Sequence, residues 1–252
     1  MTEVTSLPAT GNYRGDDGVL LAYHVLGHGR ALILLHGYLV SAHPTWVQSG
    51  VAARLADAGH RVLMPELRGH GESNPHNLYA YPRDALARDV FALVRHLDLQ
   101  DYDLGGYGLG GQAVTRALAL GLRPRRAVIA GAGLESVRHA TVRRERERRL
   151  LANLGSYAPD TPEGAFEARL AALGADPMAL LRLLDTLLDT SEEDLAAIRV
   201  PTLLIAGADD TECGSVEDLA ALLPESTLRR VPGDHRSVPE SAEFAEAVAA
   251  FL

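Results

Sequence analysis

Short apolar segments alternate with segments of helical spacing along most of the chain. Apolar runs bounded by turn residues predict seven strands, at Val19–Leu26, Ala31–Leu35, Arg61–Pro65, Asp101–Tyr107, Ala127–Ala130, Thr202–Ala206 and Thr227–Val231. Apolar residues at helical spacing predict helices at Trp46–Ala58, Asp84–Leu97, Gly111–Leu120, Val216–Leu222 and Ser241–Leu252. Short apolar strands separated by helices are typical of a mostly parallel sheet with helices on both faces, so the pattern predicts an α/β fold.

One stretch, residues 135–199, breaks the alternation because it contains only helical patterns. The predicted helices are Val137–Leu154, Gly164–Leu173, Pro177–Leu188 and Ser191–Ile198. We interpret residues 135–199 as a helical lid inserted between two strands of one domain, whose core comprises residues 1–134 and 200–252.

Composition narrows the class of protein. The chain has 252 residues, of which 47% are hydrophobic, as in an ordered globular protein. Its formal net charge of −9 disfavours nucleic-acid binding, which depends on basic contacts to phosphate. The start, Met1–Asn12, lacks the basic and apolar regions of a signal peptide, and the single cysteine, Cys213, fits a reducing compartment. We therefore expect a cytoplasmic protein that does not associate with membranes, and we leave its oligomeric state open.

Four segments at predicted strand ends contain candidate chemistry. They are Leu34–Tyr38, Gly106–Gly111, Gly207–Asp210 and Pro232–His235. A strand that turns directly into a helix needs small residues on both sides of its apex, because the helix otherwise cannot pack close to the strand. Glycines at the outer positions of the second segment meet this need around the apex, Gly108.

These motifs, in this order, resemble the α/β-hydrolase superfamily from about Asn12 to Leu252. Gly18–Tyr23 agrees with it too, and Pro65–Ser73 resembles the family's Asp-Arg-Gly-His-Gly-x-Ser turn. The resemblance implies the α/β-hydrolase fold: a mostly parallel central sheet with helices on both faces and a helical lid inserted after the sixth strand.

The resemblance also assigns roles to individual residues. It implies His235 as general base, with Asp210 as the acid that orients it, although the adjacent Asp209 could take that role. It implies that the backbone N–H groups of Tyr38 and Leu109 form an oxyanion hole. His36 and His70 are interpreted as structural residues.

The departure from the family lies at the nucleophile position, where the family usually has serine, sometimes aspartate or cysteine, and this chain has Gly108. Glycine offers no nucleophile, so no covalent acyl-enzyme can form at this position. Three explanations remain open. The first is a cofactor-independent enzyme that uses His235 and Asp210 for lyase, cyclase or water-activating chemistry. The second is a carboxylic-ester hydrolase inactivated by replacement of serine, natural or engineered, and the third is a non-catalytic small-molecule binding protein.

Further residues are candidates for substrate contacts. We expect Gly37, His43 and Trp46 to border the site, and Tyr157 and Phe166 of the lid to face it. The lid is rich in leucine and alanine, which favours a lipophilic small molecule as the ligand.

Three other patterns are weaker. Gly106, Gly108 and Gly111 match a dinucleotide-binding fingerprint, but the following strand ends without the acidic residue that such a site requires, so no cofactor is expected. Cys213 lies outside the turn and is a poor alternative nucleophile. The acidic residues from Asp209 to Asp218 fit no calcium loop, so no metal site is expected.

Overall fold

The computed structural model describes residues 8–73 and 80–252, apart from the side chains of residues 141 and 143. The strands in these ranges are β1 (Ala9–Arg14), β2 (Leu20–Leu26), β3 (Arg30–Leu35), β4 (His60–Pro65), β5 (Tyr102–Tyr107), β6 (Ala127–Ala130), β7 (Thr202–Gly207) and β8 (Ser226–Val231). The helices are α1 (Val51–Asp57), α2 (Ala85–His96), α3 (Leu109–Ala119), α4 (Leu134–Arg138), α5 (Ala140–Ala152), α6 (Pro162–Ala172), α7 (Pro177–Thr186), α8 (Glu192–Ala196), α9 (Val216–Leu222) and α10 (Ala242–Phe251).

All eight strands form one sheet in the order β1-β2-β4-β3-β5-β6-β7-β8. The pairs from β4 to β8 are parallel, whereas β1 pairs antiparallel with β2, and β2 pairs antiparallel with β4. The predicted α/β class and the mostly parallel sheet are therefore confirmed. Because parallel strands end at the same edge, the loops after β3, β5, β7 and β8 meet there.

Side chains of successive strand residues point to opposite faces, and each face has its own core. In β3, Ile33 and Leu35 pack with residues of α2, α3 and α9, whereas Leu32 and Leu34 pack with residues of α1 and α10. Because both faces are covered at β3, its residues Ala31–Leu35 are all apolar and form a continuous run rather than an alternation.

The edge strand β1 was missed in the sequence because its residues, ATGNYR, are mostly polar and mostly exposed. Among the strands that the structure describes, it pairs with β2 alone, so it lies at the edge of the sheet and needs no apolar run. The predicted helix Trp46–Ala58 is instead two pieces, a π-helical segment His43–Gln48 and α1, separated by Gly50 with φ 81°. A left-handed residue cannot continue a right-handed helix.

Residues between β6 and β7 are helical, as the sequence predicts, but the first predicted helix is divided. His139 has φ −121° and ψ 40°, which ends α4 and begins α5. A small cluster of Leu151, Leu170, Leu180 and Leu184 packs α5, α6 and α7 together. Tyr38 and Leu39, from the loop after β3, pack against the same cluster. The boundaries of this insertion as a lid, residues 135–199, stay a prediction.

Within the described ranges, every helix is too short or too polar to span a bilayer.

A buried arginine joins three distant parts of the core. Arg68, 2% exposed, forms a two-pronged hydrogen bond with Asp89 of α2, at 2.9 and 2.6 Å from Nε and Nη2 to the carboxylate oxygens. Its Nη1 also donates to Asp17, in the turn between β1 and β2, at 2.6 Å. Because a guanidinium remains charged, its burial is tolerated only while these acids are present.

We expect Asp89→Asn to lower the free energy of unfolding by about 3 kcal/mol, because it leaves the buried Arg68 charge with only Asp17 as an acidic partner. The matched control is Asp101→Asn, which breaks an exposed pair with Arg30 at 3.2 Å. That change should cost less than about 1 kcal/mol. Urea unfolding of both variants measures the difference, and equal costs would contradict the structural role given to Arg68.

Candidate active site

The turn from β5 into α3 is a close contact that only glycine permits. Gly108, at its apex, has φ 55° and ψ −113°. A Cβ on Gly106 would lie 2.4 Å from the carbonyl of Gly110, and a Cβ on Gly110 would lie 2.4 Å from the carbonyl oxygen of Leu35. Both distances are far below van der Waals contact. The two glycines predicted to flank the apex therefore allow the helix to begin directly on the strand.

This contact predicts that Gly106→Ala lowers the free energy of unfolding by about 2–3 kcal/mol, because an added methyl overlaps backbone atoms that cannot move independently. Gly155→Ala is the control, since Gly155 has φ 88° and open space around its Cβ position. It should cost only the strain of a left-handed residue, about 1 kcal/mol. Thermal and urea unfolding measure both, and the expectation fails if Gly106→Ala is the milder change.

His235 and Asp210 are brought together by two neighbouring parallel strands. Gly207, at the end of β7, is in register with Val231, at the end of β8, so the loops that follow start side by side. His235 Nδ1 lies 2.8 Å from Asp210 Oδ2. The other carboxylate oxygen accepts the backbone N–H groups of Glu212 and Cys213 at 2.9 and 3.0 Å. Both oxygens are thus engaged, and the side-chain direction is fixed.

Asp210, and not Asp209, contacts the histidine. Asp209 is exposed, and its N–H donates to the carbonyl of Gly233. The Asp210 side chain is fully buried, whereas that of His235 is 17% exposed. Burial raises the pKa of Asp210, but the hydrogen bond from His235 and the two backbone donors outweigh it, so the pKa is lowered from its ordinary value.

The hydrogen bond between His235 Nδ1 and the Asp210 carboxylate decides which ring nitrogen carries the proton. Nδ1–H donates to Asp210, so the neutral imidazole of His235 carries its lone pair on Nε2. That atom is the one available to accept a proton.

The lowered pKa of Asp210 makes part of the stability depend on pH. A carboxyl with a depressed folded-state pKa stabilises the fold above its ordinary value of 3.8, and this stabilisation is lost as pH falls below that value towards the lowered pKa. We expect wild type to exceed Asp210→Asn by roughly 1–2 kcal/mol at neutral pH, with the gap closing at acid pH. Urea unfolding from neutral pH to below 3.8 measures the gap. Asp209→Asn, which removes a carboxylate that does not contact His235, is the control, and a gap that stays level would contradict the assignment.

Nε2 of His235 faces the apex glycine. A Cβ built on Gly108 would lie 3.5 Å from Nε2 and 3.9 Å from the Cα of Gly37, which are ordinary contact distances. An oxygen one bond beyond that Cβ can lie within hydrogen-bond distance of Nε2. The space for a serine side chain, and the histidine that would serve it, are therefore present without the serine.

The first N–H groups of α3 lie beside this space. Leu109 is the first residue of the helix, and the first helical hydrogen bond runs from Gln112 N to the carbonyl of Gly108 at 3.0 Å. The N–H groups of residues 109–111 precede that bond and have no carbonyl to meet within the helix. They also lie at the positive end of the helix dipole. This location suits the predicted oxyanion role of Leu109.

The loop after β3, which contains Gly37 and Tyr38, is fixed by two buried histidines. Leu67 N donates to His36 Nε2 at 3.0 Å, so His36 carries its proton on Nδ1, and it donates to the carbonyl of Gly37 at 2.8 Å. His70 Nε2 donates to the carbonyl of Tyr38. Burial lowers the pKa of His70 to about 4, so this ring is neutral near pH 7. Through these contacts, both histidines hold the loop after β3 in place.

Glu66 fixes the far end of the same loop. This carboxylate is 3% exposed, contacts His24 Nε2 at 3.1 Å, and accepts the N–H of Ala42 at 3.2 Å. Burial raises its pKa, but the hydrogen bond from His24 leads the opposing contacts, and the pKa lies well below its usual range. The sequence analysis noted Glu66 only as part of a family motif. The local sequence gave no sign of which groups Glu66 would contact, because His24 and Ala42 are distant along the chain.

Tyr107 is a neighbour of the site that the sequence analysis did not select. Its ring centroid lies 5.3 Å from that of His235, and the residue is 3% exposed. Gly131, with φ 58°, allows this packing, because a Cβ there would lie 2.6 Å from the Tyr107 ring. The only sequence signal was its place directly before the apex.

Trp46, one of the predicted substrate contacts, lies elsewhere, whereas the role of His43 towards a substrate stays a prediction. Trp46 is completely buried, and its ring stacks on Phe244 of α10 at 5.7 Å, so it belongs to the core and cannot border a site open to substrate. The expectation for Trp46 was wrong because an aromatic residue at a helix start packs equally well inward. His43 is half-buried and lies edge-on to His24, with ring centroids 6.5 Å apart.

The two lid candidates contact other parts of the insertion. The Tyr157 hydroxyl donates to the carbonyls of Arg149 and Leu150, at the end of α5. Phe166 packs against the leucine cluster of the insertion. Their role towards a substrate stays a prediction.

A partly open cavity lies between α2, α3 and the insertion, lined by Ala87, Gln112, Ala113, Ser136 and Thr186 among others. Its volume is about 30 Å³, room for a water or two and too small for a lipophilic substrate. Among the residues that the structure describes, no three His, Cys, Asp or Glu side chains are grouped as metal ligands.

Comparisons with known proteins identify the family of this chain. A family model described as the alpha/beta hydrolase fold matches residues 30–196. The chain is 28% identical to a non-heme haloperoxidase of Rhodococcus erythropolis over 249 residues, which cover 86% of this chain and 89% of that protein. It is 35% identical to the non-heme chloroperoxidase CPO-A1 of Kitasatospora aureofaciens over 100 residues, 40% of this chain and only 35% of that protein.

A solved structure has the same fold over nearly the whole chain. A hydrolase from Pseudomonas aeruginosa PA01 superposes with a TM-score of 0.74 and 27% identity, and the match covers 98% of this chain and 99% of that one. The fold, the turn at Gly108 and the family match define the class: this chain belongs to the α/β-hydrolase fold family. Several of the similar proteins are named as haloperoxidases or hydrolases, and those names describe the relatives.

Proposed function

We propose that this protein is an enzyme in which His235, oriented by Asp210, acts as a general base on a lipophilic small molecule without a covalent serine step. The observation that supports it most is the direction of His235. Its Nδ1 is 2.8 Å from the Asp210 carboxylate, and its Nε2 faces the space beside Gly108. Burial of a carboxylate lowers the stability of the fold, so the presence of the His235–Asp210 pair supports a function for the base.

The general base would act on a water molecule in that space. Nε2 takes a proton from the water, whose oxygen attacks the carbonyl carbon of the substrate, and the N–H groups of Tyr38 and Leu109 stabilise the oxyanion. The same base could instead take a proton from the substrate itself, which gives lyase or cyclase chemistry. Neither route needs a cofactor.

The lipophilic character of the substrate is inferred from the loop and insertion above the site. Tyr38, whose N–H is assigned to the oxyanion hole, also packs against the leucine cluster of the insertion with Leu39. An apolar wall beside the oxyanion loop favours an apolar substrate group.

A second candidate is a carboxylic-ester hydrolase that has lost its nucleophile. The observation in its favour is that a Cβ at Gly108 meets no atom closer than 3.5 Å. A serine there would face the intact His235–Asp210 pair. The third candidate, a binding protein without catalysis, needs neither residue.

One experiment distinguishes these candidates: turnover of a panel of p-nitrophenyl esters by four proteins. They are wild type, Gly108→Ser, His235→Ala, and the double variant Gly108→Ser with His235→Ala. We expect slow wild-type turnover without a burst, abolished by His235→Ala, because water replaces the nucleophile. We expect Gly108→Ser to unfold more easily by about 1 kcal/mol, since serine is strained at φ 55°.

A His235-dependent burst and a rate at least about 100-fold higher in Gly108→Ser, over an inert wild type, would favour the ester-hydrolase candidate instead. Wild-type turnover unchanged by His235→Ala would contradict the general base. If no variant turns over any ester, water activation is wrong, and either lyase or cyclase chemistry by the same base or ligand binding alone becomes the better account.

A further inference from the structure

We infer that Tyr107 is a positioning residue whose ring, packed against two further aromatic rings of the core, sets the tilt of the His235 imidazole. We call the packed rings of Trp46, Phe244, Tyr107 and His235 the ring series. The inference rests on the proposed function, because the direction of Nε2 matters to a histidine that takes protons.

The hydrogen bond to Asp210 does not by itself fix the orientation of His235. It joins one atom of the ring, Nδ1, to the carboxylate at 2.8 Å. The torsion that turns a histidine ring about its Cβ–Cγ bond has broad minima, so one hydrogen bond fixes a point and leaves the tilt open. The side chain is 17% exposed, so solvent borders part of it. A packed face is the further contact that a fixed direction of Nε2 requires.

Tyr107 provides that face. Its ring centroid lies 5.3 Å from that of His235, with 51° between the two planes, a separation at which aromatic rings attract each other. Tyr107 is itself 3% exposed and lies directly against Gly131, where a Cβ would be 2.6 Å from the ring. The Tyr107 ring is therefore closely packed and is a rigid support for the imidazole.

Two further rings hold Tyr107 in turn. Phe244 of α10 meets it edge-on, with centroids 6.1 Å apart and 80° between the planes. Trp46 stacks on Phe244 at 5.7 Å and 18°, and both residues are completely buried. Trp46 belongs to the segment His43–Gln48, which follows the loop that contains Gly37 and Tyr38. The ring series therefore connects the segment after the predicted oxyanion loop to the base through close-packed core.

The ring of Tyr107, and not its hydroxyl, accounts for the role. The hydroxyl is buried and meets no hydrogen-bond partner among residues 8–73 and 80–252. Burial, and then the nearby Asp210 carboxylate, raises the pKa of Tyr107 well above its usual range, so the residue stays neutral. A hydroxyl that makes no hydrogen bond to His235 or Asp210 does not orient either of them, whereas the ring contacts the imidazole.

The experiment follows the Nδ1 proton of His235 by proton NMR, which requires no turnover. Its resonance is identified by its loss in His235→Ala. Tyr107→Leu removes the aromatic ring and keeps a buried apolar side chain, and Tyr107→Phe removes only the hydroxyl. The matched control is Tyr102→Leu, because Tyr102 is the first residue of β5 as Tyr107 is the last, is 4% exposed, and packs in the core of the opposite face.

We expect Tyr107→Leu to lose the His235 resonance or to exchange this proton with water at least about fivefold faster, because a ring free to tilt opens its hydrogen bond more often. Tyr107→Phe and Tyr102→Leu should keep the wild-type exchange rate. The Nδ1 proton of His36, which donates to the carbonyl of Gly37, reports in every variant that the fold is intact.

Turnover gives a second readout. On an ester with His235-dependent hydrolysis, Tyr107→Leu should lower kcat about tenfold and leave KM unchanged, because a displaced base weakens the transition state and not substrate binding. Tyr107→Phe should restore the wild-type kcat, and Tyr102→Leu should not change it.

The outcomes separate the inference from the proposed function. Wild-type proton exchange in a folded Tyr107→Leu, or equal acceleration in Tyr102→Leu, would overturn the role of Tyr107. If Tyr107→Leu does not fold, Phe244→Leu removes the next ring of the ring series, and unchanged exchange there would overturn it. Faster exchange in Tyr107→Leu, with no His235-dependent turnover by wild type, would support the positioning and overturn the proposed function.

Discussion

The close approach of β5 and α3 is the constraint on which the site depends. Gly106 and Gly110 leave no room for a side chain, so the helix starts directly on the strand, and Gly108 must take a backbone conformation that other residues avoid. This turn places the start of α3 directly after Gly108. The close packing at Gly106 and Gly110 requires no particular side chain at the apex.

Elsewhere in the core and at the site, buried charged side chains are held by hydrogen bonds to specific partners. Asp210 is engaged on both oxygens, Glu66 contacts His24 and a backbone N–H, and Arg68 is enclosed by two acids. A buried charge is strongly destabilising when one of its partners is removed. Hydrogen bonds of this kind hold the loops that carry Gly37 and His235.

Glycine at the apex changes the chemistry more than the structure. A serine there would be strained at φ 55°, whereas glycine is not, and glycine offers no side-chain nucleophile. The His235–Asp210 hydrogen bond and the start of α3 are both present beside the glycine.

The sequence by itself determined the α/β class, the sheet-forming segments and the order of the motifs, because local hydrophobic period and glycine spacing are written along the chain. It also predicted that His235 and an aspartate follow two strands. Only the tertiary structure decided that Asp210 and not Asp209 meets the histidine, that Trp46 stacks on Phe244 in the core, and that Tyr107 packs against His235. Adjacent residues share the same local pattern, and only the strand register and the packing of distant helices distinguish the one that points inward.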